Sequence, residues 1–263
     1  GGLPVVLAQT YRSMIHSRLG AGLERYKTAY PATDIVLFEP NRADADMFFT
    51  NLFSYSSRRR LCEHAYQKTR EELWRRRHEL APLLANIPRA RIFDEALKLL
   101  LSGHALRGVH QLRAEGLHHG MLPLLDTILD DTTGERFITA ALKTTDARIA
   151  QDKPASPAFL FGTLLWPQVL QRWRQLEAAG EKPQPALFLA MDEVLDAQRG
   201  QLAIPRRYDG MIKEIWALQP RFEQRGGQRP YRLLENPRFR AAYDFLLLRA
   251  ESGEVDAELG EWW

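Results

Sequence analysis

The stretch ENPRFRAAYDFLLLRAESGE, residues 235–254, joins two chemistries. Its first half mixes arginines with aromatic rings, and its second half is a leucine run. Phe239, Tyr243, Leu246, Leu247 and Ala250 fall on one side of a helix, so the spacing predicts a helix over about 237–252 with that side in a core. Immediately upstream, QRGGQRPYRLL, residues 224–234, reads as an arginine- and glycine-rich loop.

The same period recurs along most of the chain. IPRARIFDEALKLLLSGHA places Ile92, Phe93, Ala96, Leu97 and Leu100 on one apolar face, with Pro88 in the first turn and Gly103 as a stop. Helices also fit about 4–30, 57–80, 105–115, 120–130, 134–151, 156–178, 184–199, 209–218 and 229–234, separated by short Gly or Pro turns. The 57–80 segment, opened by Ser57 and broken by Pro82, mixes charged and apolar positions and predicts a largely solvated helix. DIVLF, residues 34–38, is the best strand candidate and has no evident partner. The expected fold is therefore mainly α, a helical array with a small α/β remnant at the N-terminus. No repeat of solenoid length is visible.

The 263 residues are 45% hydrophobic and 26% charged, enough apolar material for a real core. A single cysteine, Cys62, excludes an intrachain disulfide and fits a reducing, cytoplasmic location. The first residues carry no basic, apolar leader, and no stretch reaches the length of a membrane span. Charge is uneven. Residues 205–240 hold nine basic residues against four acidic ones, a local net of +5, and the tail reverses sign.

That basic segment is the leading candidate site: Arg206, Arg207, Arg221, Arg225, Arg229, Arg232, Arg238 and Arg240, with Tyr208, Phe222, Tyr231 and Phe239 among them. Guanidinium groups neutralise phosphates and stack on bases, and exposed rings hold single-stranded bases. The pattern predicts a surface for single-stranded RNA, with Tyr231 as the aromatic contact and most of the other rings in the core.

Other constellations favour bland readings. Asp44 and Asp46 resemble a metal-binding carboxylate pair, but EPNRA precedes them where a Gly-Ser turn would hold a triphosphate, so they read as solvated loop acids. His104, His110, His118 and His119 lack the spacing of a zinc site. Cys62 and His64 diverge on a helix and read as packing. Arg58, Arg59, Arg60, Arg75, Arg76 and Arg77 suggest contact with anionic lipid, but the apolar face beside them is too thin for stable insertion.

Four strings, LANIPRARIFDEALKLLLSGHA, TDARIAQDKPASPAFLFGTLLWP, AIPRRY with IKEIWALQPR, and RLLENPRFRAAYDFLLLRAESGE, resemble in order and spacing the C-terminal half of bacterial poly(A) polymerases, over about residues 79–263. The resemblance implies an all-helical neck and body ending in an arginine-rich RNA-binding part. It also implies a role in RNA 3′ polyadenylation and decay, and an RNA helicase as protein partner. The family adenylates RNA with ATP and Mg²⁺ in a head bearing Gly-Ser followed by Asp-x-Asp. Without that pattern the chain is expected to need no cofactor and to be inactive alone, and no catalytic or metal residue is assigned. AGLERYKTAYPATDIVLFEPNRADADMFFTNLFSYSSRRRLCEHAYQKTREEL resembles the C-terminal tail of bacterial patatin-like phospholipases over about residues 5–85, again without the catalytic serine and aspartate. The two resemblances meet at ELAPLLA, residues 79–85. They imply a first segment over 1–85, an RNA-binding region over 86–263, and a join that is a fusion, a rearranged reading frame or an assembly error. The alternative function is thus a fragment of a lipid hydrolase or a membrane-surface protein.

Overall fold

The structure, a computed structural model, describes residues 3–39, 44, 55–116, 132–201 and 203–263. The expected helix at 120–130, His118, His119 and Asp46 lie outside the described residues. The chain forms two compact units, Gly1–Ala85 and Asn86–Trp263.

In the first unit, α1 (Leu3–Ala29) runs through Gly20 and Gly22 without a break and ends before Pro31. The expected strand does not form. Residues 34–39 are irregular, and no strand occurs among the described residues, so the α/β remnant is corrected to irregular backbone between helices. A lone extended segment leaves its backbone groups without a ladder, and nothing among the described residues supplies one. α2 (Tyr55–Arg75) begins before Ser57 and has no buried residue; α3 (Arg77–Leu80) and a 3₁₀ turn, Ala81–Asn86, follow. The charges of α2 and α3 pair locally, as in Lys68–Glu71 at 2.8 Å and Arg76–Glu79 at 2.6 Å, which is how a solvated helix balances itself. One reading changes here. Asp44 is not a solvated acid: its side chain is 10% exposed, and its carboxylate lies 2.7 Å from His64 Nε2. His64 is therefore held by an ion partner rather than simply packed.

The second unit is built around one helix. α4 (Arg89–Leu100) buries Phe93, Ala96 and Leu100, as its spacing predicts. α5 (Ala105–Ala114) is capped from a distance. Asp146 on α6 (Thr132–Ala150) accepts from the backbone N–H groups of Ala105 and Leu106 at 2.7 and 3.1 Å, satisfying donors that the first helical turn cannot pair. α7 (Pro157–Ala178) starts with Ser156 accepting from Phe159 N–H and Pro157 in the first turn. It is buried on nearly all sides over residues 158–166 and packs against α6, α8 (Pro183–Gln201) and α9 (Asp209–Leu218). Its Trp166 meets Phe245 edge-on at 5.4 Å, and Phe161 stacks on Phe93 at 5.2 Å.

A smaller core lies beyond α9. Leu218, Phe222, Leu233, Ala242, Leu246 and Leu259 bring together the turn Gln219–Glu223, α10 (Arg229–Leu234), α11 (Phe239–Glu251) and α12 (Ala257–Trp262). α11 is the helix of the opening stretch, and its buried side differs from the expected one. Ala242, Phe245, Leu246, Leu248 and Arg249 are buried, whereas Leu247 is 39% exposed. The cause is its position between two cores: Phe245 and Leu248 face the larger one, Ala242 and Leu246 the smaller. A helix clamped on two sides does not show a single stripe.

The two cores are joined by a buried polar network. Arg249 donates to Glu254 (Nε–Oε1, 2.9 Å) and to Gln219 Oε1 (3.2 Å), with its guanidinium 5.2 Å from the Trp166 ring centroid. Glu254 Oε2 accepts from Trp166 Nε1 at 2.8 Å, and Gln219 Nε2 donates to the carbonyls of Ile215 and Ala242, both at 3.1 Å. Gly253, at φ +80, makes the reversal that returns Glu254 to Arg249.

Glu254→Gln leaves the buried guanidinium without its counter-charge and should destabilise the second unit by about 3–5 kcal/mol in urea unfolding, while Arg249→Met with Glu254→Leu should cost far less. A second test concerns pH. Arg172 on α7 donates to Glu193 on α8, and this hydrogen bond holds the Glu193 carboxyl below its ordinary value against desolvation, with direct charge attraction adding to it. A depressed carboxyl stabilises above its unfolded pKa, and that contribution is lost as pH falls through the folded value. Glu193→Gln should therefore lower the urea midpoint at neutral pH, and the gap to the unmodified chain should close in acid.

Candidate nucleic-acid interface

The eight arginines of the basic segment have different fates. Arg206 and Arg207 lie on the 3₁₀ turn Arg206–Tyr208 at the start of α9, and Arg221 lies on the turn at its end. The ten residues of α9 separate these turns by about 15 Å, so the segment is two groups and not one cluster. The second group comprises Arg221, Arg225, Arg229 and Arg232. It rides on the turn and on α10, which Phe222 and Leu233 anchor in the smaller core. Gly227, at φ +65, shapes the loop between them.

Pairing sorts the charges further. Arg206, Arg221, Arg229 and Arg232 are exposed and make no ion pair among the described residues. Arg238 is held by Glu214 at 2.7 Å, and Arg240 by Asp244 at 3.1 Å. Arg225 lies 3.9 Å from Glu258 and 6.0 Å from the Trp262 ring centroid. Arg207 lies over Tyr208, 4.9 Å from its centroid. Lys213, counted among the local cations, is paired with Asp192. A guanidinium already paired with a carboxylate has less to gain from a phosphate, so these four and Arg207, which meets Tyr208 but no carboxylate, are the available cationic contacts of the segment among the described residues.

The aromatic residues sort in the same way. Phe222 is fully buried, Phe239 packs against the smaller core, and Tyr208 packs against the larger one. Tyr231 is 63% exposed and is the accessible ring among these four. Two features escaped the sequence reading. Arg249 and Glu254 form the buried pair above, which the sign reversal of the tail does not single out; the nearest signal is the Gly253 turn between them. α12 was hidden in the same acidic tail, although Asp256 caps it by accepting from Glu258 N–H at 3.0 Å.

Among the described residues, no three His, Cys, Asp or Glu side chains are grouped to hold a metal. Asp44 is already engaged by His64, and no metal is assigned to it. No helix among the described residues is long and apolar enough to cross a membrane.

An all-helical array ending in an arginine-studded subcore is the class to which the comparisons point. Residues 179–263 match the family described as "Polymerase A arginine-rich C-terminus", and residues 70–129 match "Probable RNA and SrmB-binding site of polymerase A". Poly(A) polymerase I of Haemophilus influenzae is 42% identical over 190 residues, covering 70% of this chain and 42% of that protein. Poly(A) polymerase I of Escherichia coli O6:H1 is 42% identical over 194 residues, and that of Salmonella typhi 40% over 193, each covering 70% of this chain and 41% of the relative. The chain thus carries a poly(A) polymerase-type C-terminal region and spans about two fifths of the length of these relatives. The match reaches back to residue 70, upstream of Glu79. The phospholipase resemblance of residues 5–85 finds no support: a polymerase family model covers part of the same segment, and the strand read as a remnant of its sheet does not form.

If the unpaired arginines serve a ligand and not the fold, replacing Arg221, Arg229 and Arg232 together with alanine should move the urea midpoint little, within about 0.5 kcal/mol for each site. Arg249→Ala should unfold the second unit far more readily. A large loss in the triple variant would assign those arginines to stability.

Proposed function

We propose that this chain holds single-stranded RNA as the RNA-binding C-terminal region of a poly(A) polymerase-type protein acting in RNA 3′ processing and decay. The observation that carries the reading is the set of four exposed guanidiniums, Arg206, Arg221, Arg229 and Arg232, that have no partner among the described residues, on a segment matched by an arginine-rich polymerase family. Arg207, Arg225, Arg238, Arg240 and Tyr231 border them and complete the proposed contact set. ATP and Mg²⁺ belong to the adenylating head of such proteins, so the residues of this chain are assigned RNA retention and no chemical step. A cytoplasmic location accords with that role. The description of the 70–129 family names SrmB beside RNA, which favours a protein contact there in addition, and an RNA helicase is the partner proposed. Its test is a pull-down that survives nuclease treatment.

The main test is fluorescence anisotropy of the full chain with a short single-stranded RNA across a salt series. Each phosphate contact on a single strand contributes a slope of about −0.7 in log affinity against log salt, so Arg221→Ala, Arg229→Ala and Arg232→Ala combined should flatten the slope by about 2. Affinity and slope both unchanged in that variant would remove these arginines from the interface.

A further inference from the structure

α12 is pinned on its inner side. Leu259 is buried in the smaller core, and Gly260 carbonyl accepts from the Tyr243 hydroxyl at 3.1 Å. Trp263 Nε1 donates to the carbonyl of Phe222 at 2.9 Å, and its ring meets Phe222 edge-on at 5.2 Å. Trp262 is treated differently. It is 47% exposed, yet it has a fixed neighbour, because its ring meets the anchored Trp263 at 4.8 Å and 77°. Arg225 extends from the glycine-rich loop to 6.0 Å from its centroid. Thus a large aromatic surface stands in water, braced on one side and flanked by a cation, on the same small core that carries the unpaired guanidiniums of Arg221, Arg229 and Arg232.

We propose that Trp262 is a stacking platform for a nucleobase of single-stranded RNA, with Arg225 steadying the ring. This rests on the RNA-holding reading above and adds a base-binding position to it. Every base has a π-face, so an exposed indole holds an unpaired base without regard to sequence. Arg225 beside the ring and the exposed arginines on the same small core favour the approach of a polyanion, against the exposed carboxylates of Glu258 and Glu261 on α12. Arg225 plays a different part from its neighbours. With Glu258 3.9 Å away, its charge is partly answered already, and its place beside the indole suits a cation–π contact more than a phosphate.

The full chain is titrated with a single-stranded RNA across salt, as the unmodified protein and as Trp262→Ala and Trp262→Phe. Trp262→Ala should weaken binding by about tenfold, and Trp262→Phe should recover most of that loss. Neither should change the salt slope, because no phosphate contact is removed. The Trp262→Ala loss should vanish on an oligonucleotide whose bases are replaced by abasic sites. Binding quenches tryptophan emission through Trp262, so the quench should shrink in Trp262→Phe although the other five tryptophans remain. Unmodified protein that binds RNA while Trp262→Ala binds equally well would overturn the platform and leave the RNA-holding reading intact. Unmodified protein that does not bind at low salt would overturn both.

Discussion

The second unit depends on one buried ion pair. Arg249 and Glu254 have side chains only 7% and 5% exposed, and an isolated charge at such a depth carries a large desolvation penalty. The structure offsets it by completing the hydrogen bonds on both sides. Glu254 takes one donor from Arg249 and another from Trp166; Arg249 gives a second hydrogen bond to Gln219, which closes onto the carbonyls of Ile215 and Ala242. The members of this network come from α7, the end of α9, the turn after it, α11 and the residues beyond α11. A network whose members come from five places tolerates few alternative packings, since moving any one element strands a charge or a buried polar group. It fixes the smaller core against the larger, and with it the turn and loop that carry the outer arginines.

Arginine consequently performs three tasks in a short span of sequence. Arg249 is a structural cation inside the protein. Arg238 and Arg240 are surface cations answered by Glu214 and Asp244, pairs of the kind that contribute little to stability. Arg206, Arg221, Arg229 and Arg232 are left without partners among the described residues. Leaving cations unpaired in a region that also holds carboxylates gives up local attraction, which a polyanionic ligand would restore. Net charge alone does not draw this distinction. The local excess of +5 counts Lys213 and Arg238, which are already paired, on the same footing as Arg229.

Much of the helical array was legible in the sequence. Phe93, Ala96 and Leu100 lie on the expected face because a helix with one buried side repeats at three and four residues. α9 and α10 occupy the expected ranges, since Pro205, Pro220 and Pro230 punctuate them. The reading failed where local pattern and long-range partner diverge. α11 is held on two sides, so its true buried set includes Arg249, which no hydropathy pattern selects. DIVLF has strand composition, but a strand exists only with a partner, and composition does not supply one. Asp44 reads as solvated because EPNRA, not a Gly-Ser turn, precedes it; its partner His64 is twenty residues away, beyond any local rule. The site shows the same division. The arginines were found by counting, but which of them are free depends on carboxylates that only the fold brings near.

The division also bears on which nucleic acid the surface selects. Guanidiniums alone do not discriminate strongly between a duplex and a single strand, because both present a line of phosphates. An exposed ring does discriminate, because a base enclosed in a duplex offers no free face. Tyr231 on α10 and Trp262 on α12 both stand out from the core that positions the unpaired arginines. On the proposed reading, charge would attract any nucleic acid to these arginines, and aromatic surface would retain the unpaired one. A surface that owed its affinity to arginine alone would hold structured and unstructured RNA alike; exposed rings beside the arginines would favour the unstructured strand.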